Sequence, residues 1–189
     1  MKKVFIIHGY GGEPNGGWRP WLMGKLAEQD IWACAPAMPM ADEPKKDEWV
    51  KEISRQVGQP SEDIFLVGHS LGVPALLRYV ESLPTGSKVG GMVLVSGIIN
   101  IIPGKDKYKP INHFYDLPFD FEHIKNISDN FTVIHGDNDS SVPFTDAEEL
   151  SKKLGCNLIP IKNGGHLNGS SGWSELPEAL DALLKMINK

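Results

Sequence analysis

Cysteine is scarce in this chain: Cys34 and Cys156 are the only two among 189 residues, and no Cys-x-x-Cys pair occurs. They read as free, buried thiols of a reducing compartment, which places the protein in the cytoplasm. Basic runs are scarce too. None exceeds a Lys-Lys pair, and a formal charge of -5 with a pI of 5.7 argues against a nucleic-acid surface. No apolar stretch is long enough to span a membrane. The opening Lys2-Lys3 followed by Val4 to Ile7 imitates a signal peptide, but the apolar run stops at His8-Gly9 and reads as a strand. A G-x-G-x-x-G fingerprint is missing as well: Gly9, Gly11 and Gly12 run into Glu13-Pro14 and no helix opens there, which argues against a dinucleotide phosphate. His8, His69 and His135 fall at strand ends without H-E-x-x-H or similar spacing. They are expected as neutral histidines hydrogen-bonded to loop backbone, with no metal and no other cofactor.

What the chain does have is a rhythm of short apolar strands alternating with amphipathic helical stretches, the pattern of crossover units on a parallel sheet. Strands are expected near 3–8, 31–35, 63–68, 90–96, 131–135 and 157–161. Between them, Trp49, Val50, Ile53 and Val57 recur at helical spacing. Thr145 with Glu148 forms a capping box ahead of Leu150 and Leu154. A last helix should begin near Trp173 and bury Leu176, Leu180, Leu183, Leu184 and Ile187. Right-handed crossovers then give a three-layer α/β/α sandwich around a six-stranded parallel sheet in the order 2-1-3-4-5-6. The length suits one domain, 1–189, and is too short for two.

Gly68-His69-Ser70-Leu71-Gly72 lies between the strand-like Ile64 to Val67 and the helix-like Pro74 to Val80. G-x-S-x-G in that setting is a nucleophile elbow: a turn so tight that the serine is strained and held at a helix N-terminus. A serine hydroxyl needs a base, and the base needs a carboxylate to fix its tautomer. The chain order of elbow enzymes is serine, acid, histidine, and His166 is the one histidine beyond the plausible acid loop. Asp137 and Asp139 both follow the strand-like Phe131 to Ile134. Asp139 is favoured because it sits at the apex of the loop closed by Val142-Pro143, while Asp137 is expected to cap the turn through its own backbone. The first strand runs into His8-Gly9-Tyr10-Gly11-Gly12, where the Tyr10 N–H can complete an oxyanion hole with the Leu71 N–H.

With these residues the chain resembles the α/β-hydrolase superfamily. Ile6 to Tyr10, Trp18-Arg19-Pro20-Trp21-Leu22, Gly68 to Gly72, Leu94-Val95-Ser96-Gly97, Asp139 with Val142-Pro143, and Gly164-Gly165-His166 make it similar to small serine hydrolases related to the retinoblastoma-binding serine hydrolase. That resemblance implies a compact α/β-hydrolase fold, a triad of Ser70, Asp139 and His166, and activity toward small esters or peptide-like amides. The segment 98–120 breaks the strand-helix rhythm. Pro103, Gly104, Pro110 and Pro118 exclude a long helix there, and Tyr108, Phe114, Tyr115 and Phe119 supply apolar surface, so it is expected as a short flap. Phe114, Phe119 and Trp18 are the candidate substrate contacts, with packing onto the domain as the competing reading for each. Two function classes follow. One is a hydrolase working through an acyl-enzyme on Ser70; the other is a protein-binding module whose flap meets a partner and whose triad is a relic. His113 and His123, in or beside the flap, carry no assignment.

Overall fold

Strand alternation sorts the apolar residues onto two faces, and both faces are covered. The structure, a computed structural model, describes residues 1–101 and 106–189. The strands β1 (Lys3–Ile7), β2 (Trp32–Cys34), β3 (Ile64–His69), β4 (Gly91–Val95), β5 (Phe131–Gly136) and β6 (Asn157–Ile161) are parallel and ordered β2-β1-β3-β4-β5-β6. Phe5, Ile7, Ile64, Leu66, Met92, Leu94 and Val133 point to one side. There they pack under α2 (Lys46–Val57), α3 (Gly72–Glu81), α4 (Phe121–Ile127) and α5 (Phe144–Leu154). Val4, Ile6, Phe65, Val67, Val93, Val95 and Ile134 point to the other, beneath α1 (Arg19–Ala27) and α6 (Pro177–Ile187). The expected order and three-layer arrangement are those observed. Because strands buried on both faces bury every side chain, β3 and β4 read as unbroken apolar runs rather than as alternating ones.

The register positions the site. Ile7 pairs with Gly68, His69 with Val95, Val95 with Ile134 and Gly136 with Ile161. The carboxyl ends of five strands therefore share one edge, the edge at which open α/β sheets carry their sites.

Two local expectations are corrected. Thr145 and Glu148 form no capping box: α5 starts at Phe144 behind Pro143, and no side chain caps it. Pro143 is itself the N-cap residue and Phe144 the first helical one, so the helix begins ahead of Thr145. The last helix begins at Pro177, whose preset φ suits the first helical position. Its deepest positions are Ala179, Ala182, Leu183 and Met186 behind a buried Leu176, while Leu180, Leu184 and Ile187 are only partly buried. The thiols are free but half-buried, and burial pushes both up to about 11. They are protonated at neutral pH and are weak nucleophiles in that form.

In the 98–120 segment the expectations for Pro103 and Gly104 lie outside the described residues, and so does that for the Tyr108 side chain. Asp106–Tyr115 is a 3-10 helix that accommodates Pro110. It is fastened from below by Arg78, whose side chain is 9% exposed. The guanidinium donates to Phe114 O at 3.0 Å, to Leu117 O and to Glu81 at 2.6 Å, and lies 3.9 Å from the Phe119 ring centre. His113 adds a second tie through Pro44 O at 2.9 Å, and His123 holds Leu83 O at 2.9 Å. No helix among the described residues is long and apolar enough to cross a membrane.

Candidate active site

Ser70 occupies the turn between β3 and α3 with φ +54, a left-handed conformation that costs a non-glycine residue free energy. The flanking glycines are required by space. A Cβ on Gly72 would lie 2.2 Å from Ile7 O, and one on Gly68 would lie 2.9 Å from the Gly72 backbone. No larger residue fits at either place. Ser70 N–H is held by Val95 O at 2.9 Å, which ties the turn to β4.

His166 Nε2 stands 3.0 Å from Ser70 Oγ, and its Nδ1 stands 2.7 Å from Asp139 Oδ2. A carboxylate only accepts, so Nδ1 carries the proton and Nε2 presents its lone pair to the hydroxyl. The Asp139 side chain has no exposed surface. Burial alone would raise its pKa. The hydrogen bond and charge of His166, with the N–H groups of Val142 and Ser141, more than offset that and hold it below the usual aspartate value. Those two N–H groups reach Oδ1 at 3.1 and 2.7 Å, which leaves Oδ2 for the imidazole. Asp139, Ser70 and His166 are thus brought together. Asp137 is not among them, nor does it cap its own turn: its Oδ1 takes the Asn163 N–H at 2.8 Å, across to the histidine loop.

That loop is tied at every residue, a feature the sequence reading missed. Asn138 Oδ1 receives the Gly165 N–H at 2.7 Å, Trp173 Nε1 donates to Gly164 O at 2.7 Å, and Trp18 Nε1 donates to Leu167 O at 2.8 Å. His69 Nε2 lies 2.9 Å from His166 O and, facing a carbonyl, donates to it. Together with Asp137, one bond reaches each residue from Asn163 to Leu167. Three of the five, Asn163, Gly165 and Leu167, have positive φ, so the ties hold a conformation that the loop would not keep alone. The run Asp137-Asn138-Asp139 was the signal in the sequence, since three consecutive acceptors in a strand-end loop exceed what one turn can use.

The three strand-end histidines bond backbone, as expected. His8 Nδ1 donates to Gly9 O at 2.9 Å while its Nε2 accepts the Met38 N–H at 3.1 Å, and His135 Nε2 donates to Val142 O at 3.2 Å. Burial lowers all three pKa values, that of His69 to about 3, so they are neutral at pH 7.

The β1 loop lies against the serine: a Cβ on Gly9 would fall 2.8 Å from Ser70 Cβ. In this loop the Gly11 N–H is spent on Ala41 O at 2.8 Å and the Gly12 N–H on Gly9 O at 3.1 Å. The N–H groups of Tyr10 and Leu71 donate to no acceptor among the described residues. Over Ser70 and His166 opens a cavity of about 420 Å³, walled by Tyr10, Arg19, Asn168, Ser170 and loop glycines.

The candidate substrate contacts fare differently. Trp18 and Phe114 have no exposed surface, and each is packed in place: Trp18 over His69, Phe114 between Trp49 and His113. Neither can touch a substrate in this conformation. Phe119 lines a separate groove with Tyr115 and Leu117, away from Ser70.

Comparisons with known proteins follow the same lines. The serine hydrolase family profile matches residues 4–185. The YdeN protein of Bacillus subtilis is 31% identical over 188 residues, covering 100% of this chain and 97% of its own. The crystal structure of that gene product superposes with a TM-score of 0.94 over all of both chains. The serine hydrolase RBBP9 of Rattus norvegicus is 23% identical, over 96% of this chain and 95% of its own. Est1E of Butyrivibrio proteoclasticus, at 15% identity and a TM-score of 0.75 over 100% of this chain and 89% of its own, shares the fold. This chain belongs to the serine hydrolase family and has the α/β-hydrolase fold.

Proposed function

We propose that the protein cleaves a small ester, thioester or amide through an acyl-enzyme on Ser70. The observation that carries this reading is the continuous contact from Asp139 through His166 to Ser70, at 2.7 and 3.0 Å. His166 Nε2 takes the Ser70 proton as Oγ attacks the carbonyl carbon, and the π electron pair moves onto the carbonyl oxygen. The resulting oxyanion is met by the Tyr10 N–H of the β1 loop and by the Leu71 N–H at the N-terminus of α3, where the helix dipole also favours negative charge. Collapse expels the leaving group, which takes the proton from His166. Water then attacks the acyl-enzyme by the same sequence, and the acid departs with Ser70 restored. Asp139 holds the imidazole in the tautomer these steps need.

The cavity walls favour a short acyl group. Glycine and polar side chains dominate them, and the buried aromatics offer no long apolar groove. Labelling with a fluorophosphonate followed by mass spectrometry tests the reading. The adduct is expected on the peptide holding Gly68 to Gly72 and is expected to vanish in Ser70→Ala. An adduct elsewhere, or none, would overturn the mechanism. Soluble acetyl and butyryl esters should be turned over faster than long-chain emulsions.

A further inference from the structure

Arg19 is 6% exposed and has no carboxylate within 4.0 Å among the described residues, yet it lines the same cavity as Ser70 and His166. Its Nε and Nη2 both donate to one backbone oxygen, Glu13 O, at 3.1 and 2.7 Å. Nη1 makes no hydrogen bond among the described residues. Gly16 makes room for the group, since a Cβ there would lie 2.6 Å from Nη2. A guanidinium taken out of water is costly unless a counter-charge meets it, and here the burial lowers its pKa to about 10 against only a partial correction from Glu13. The positive charge also reaches the reaction centre, where it helps to depress the pKa values of both His8 and His69. The protein therefore keeps a largely buried cation, its Nη1 without a partner among the described residues, on the wall of the cavity that holds Ser70.

We propose that Arg19 binds a carboxylate of the substrate, so that the hydrolysed ester, thioester or amide is one that carries a free acid. This deepens the reading of Ser70 as the nucleophile and rests on it for the reaction, though not for the binding. The guanidinium fork matches a carboxylate in shape, and an anion seated there supplies the missing acceptor for Nη1 and the missing counter-charge. Glu13 also lines the cavity and opposes such a ligand by its charge, but its side chain is exposed and it hydrogen-bonds Arg19 only through the backbone oxygen. Also lining the cavity, Ser170 Oγ donates to Asn168 Oδ1 at 2.8 Å, which leaves the Asn168 amide N–H groups available to the rest of a polar ligand.

Matched substrates differing only in charge test the assignment. On the acyl side these are 4-nitrophenyl hemiadipate and its methyl ester; on the leaving-group side they are 4-acetoxybenzoate and its methyl ester. The acid-to-methyl-ester ratio of kcat/KM, divided by the same ratio in Arg19→Gln, cancels intrinsic reactivity and any general loss of activity. It is expected to be about tenfold or more for at least one pair, with part of it recovered in Arg19→Lys. A merely structural Arg19 would leave the ratio near one. Independently of turnover, isothermal titration of Ser70→Ala with adipate should show binding that Ser70→Ala/Arg19→Gln lacks. If adipate binds through Arg19 while no ester is cleaved, the carboxylate site stands and the hydrolase reading falls. If neither the matched ratios nor adipate binding depends on Arg19, the site is refuted.

Discussion

Two buried arginines in this protein have opposite surroundings. Arg78, under the 106–120 segment, is met by Glu81, by the carbonyls of Phe114 and Leu117, and by the face of Phe119. Arg19, beside Ser70, is met by one carbonyl of its own loop. The first has its hydrogen-bonding capacity and its charge matched within the protein, and so it fixes structure. The second leaves both unmatched, at an edge where the Tyr10 N–H and the Leu71 N–H also lack an acceptor among the described residues. Free energy that the staple region gains from pairing is withheld in the cavity region, where unpaired groups are what a ligand can use.

If that division is right, substitutions in the cavity region should be read in activity and those in the staple region in stability. The largest effect is expected for Ser70→Ala, a fall of roughly 10⁵-fold or more in turnover of 4-nitrophenyl acetate with the urea midpoint little changed. Asp139→Asn should cost about 10⁴-fold through the wrong imidazole tautomer. Asp137→Asn, which keeps an acceptor for the Asn163 N–H, should stay within a few-fold; the reverse order would move the acid to Asp137. In the staple region, Arg78→Ala should cost about 3 kcal/mol or more in urea unfolding, because Glu81 and several carbonyls lose a buried partner.

Acid should expose a further contrast. The His69 pKa is near 3 when folded against 6.5 for the free side chain, so below pH 6.5 the unfolded chain binds a proton that the folded one excludes. Stability is therefore complete above about pH 6.5 and falls as pH drops, by about 1.4 kcal/mol per pH unit for this one group until its folded pKa is reached. The lowered values of His8 and His135 act in the same direction. Asp139, also lowered, adds a loss only below the ordinary aspartate range. His69→Gln, which keeps a donor for His166 O, should reduce the slope by one proton when urea midpoints at pH 7, 5.5 and 4.5 are compared. The smallest effect is expected for Arg19→Gln, about 1 kcal/mol at most in urea unfolding, since one backbone oxygen is all it leaves unpaired. A loss as large as that of Arg78→Ala would end the comparison.

Much of this was legible in the chain because it is local or periodic. Strand spacing fixed six strands within a residue or two, and order followed from crossover handedness. Ser70, Asp139 and His166 stood out because each ends a strand-like run and each must occur in a set order. The ties on the His166 loop were not legible: Trp18 and Leu167 are 149 residues apart, and His69 and His166 are 97 apart. The same holds for Phe114 and Trp18, whose aromatic character reads alike whether a ring faces a cavity or a core.

The sequence by itself determined the sheet, the strained serine turn and the residue types of a relay, since glycine spacing and apolar period act over a few residues. Only the tertiary structure decided how the His166 loop is tied down, which aromatics are sealed, and which buried arginine keeps its charge unanswered. Burial and pairing are properties of surroundings assembled from distant segments, and no residue carries them alone.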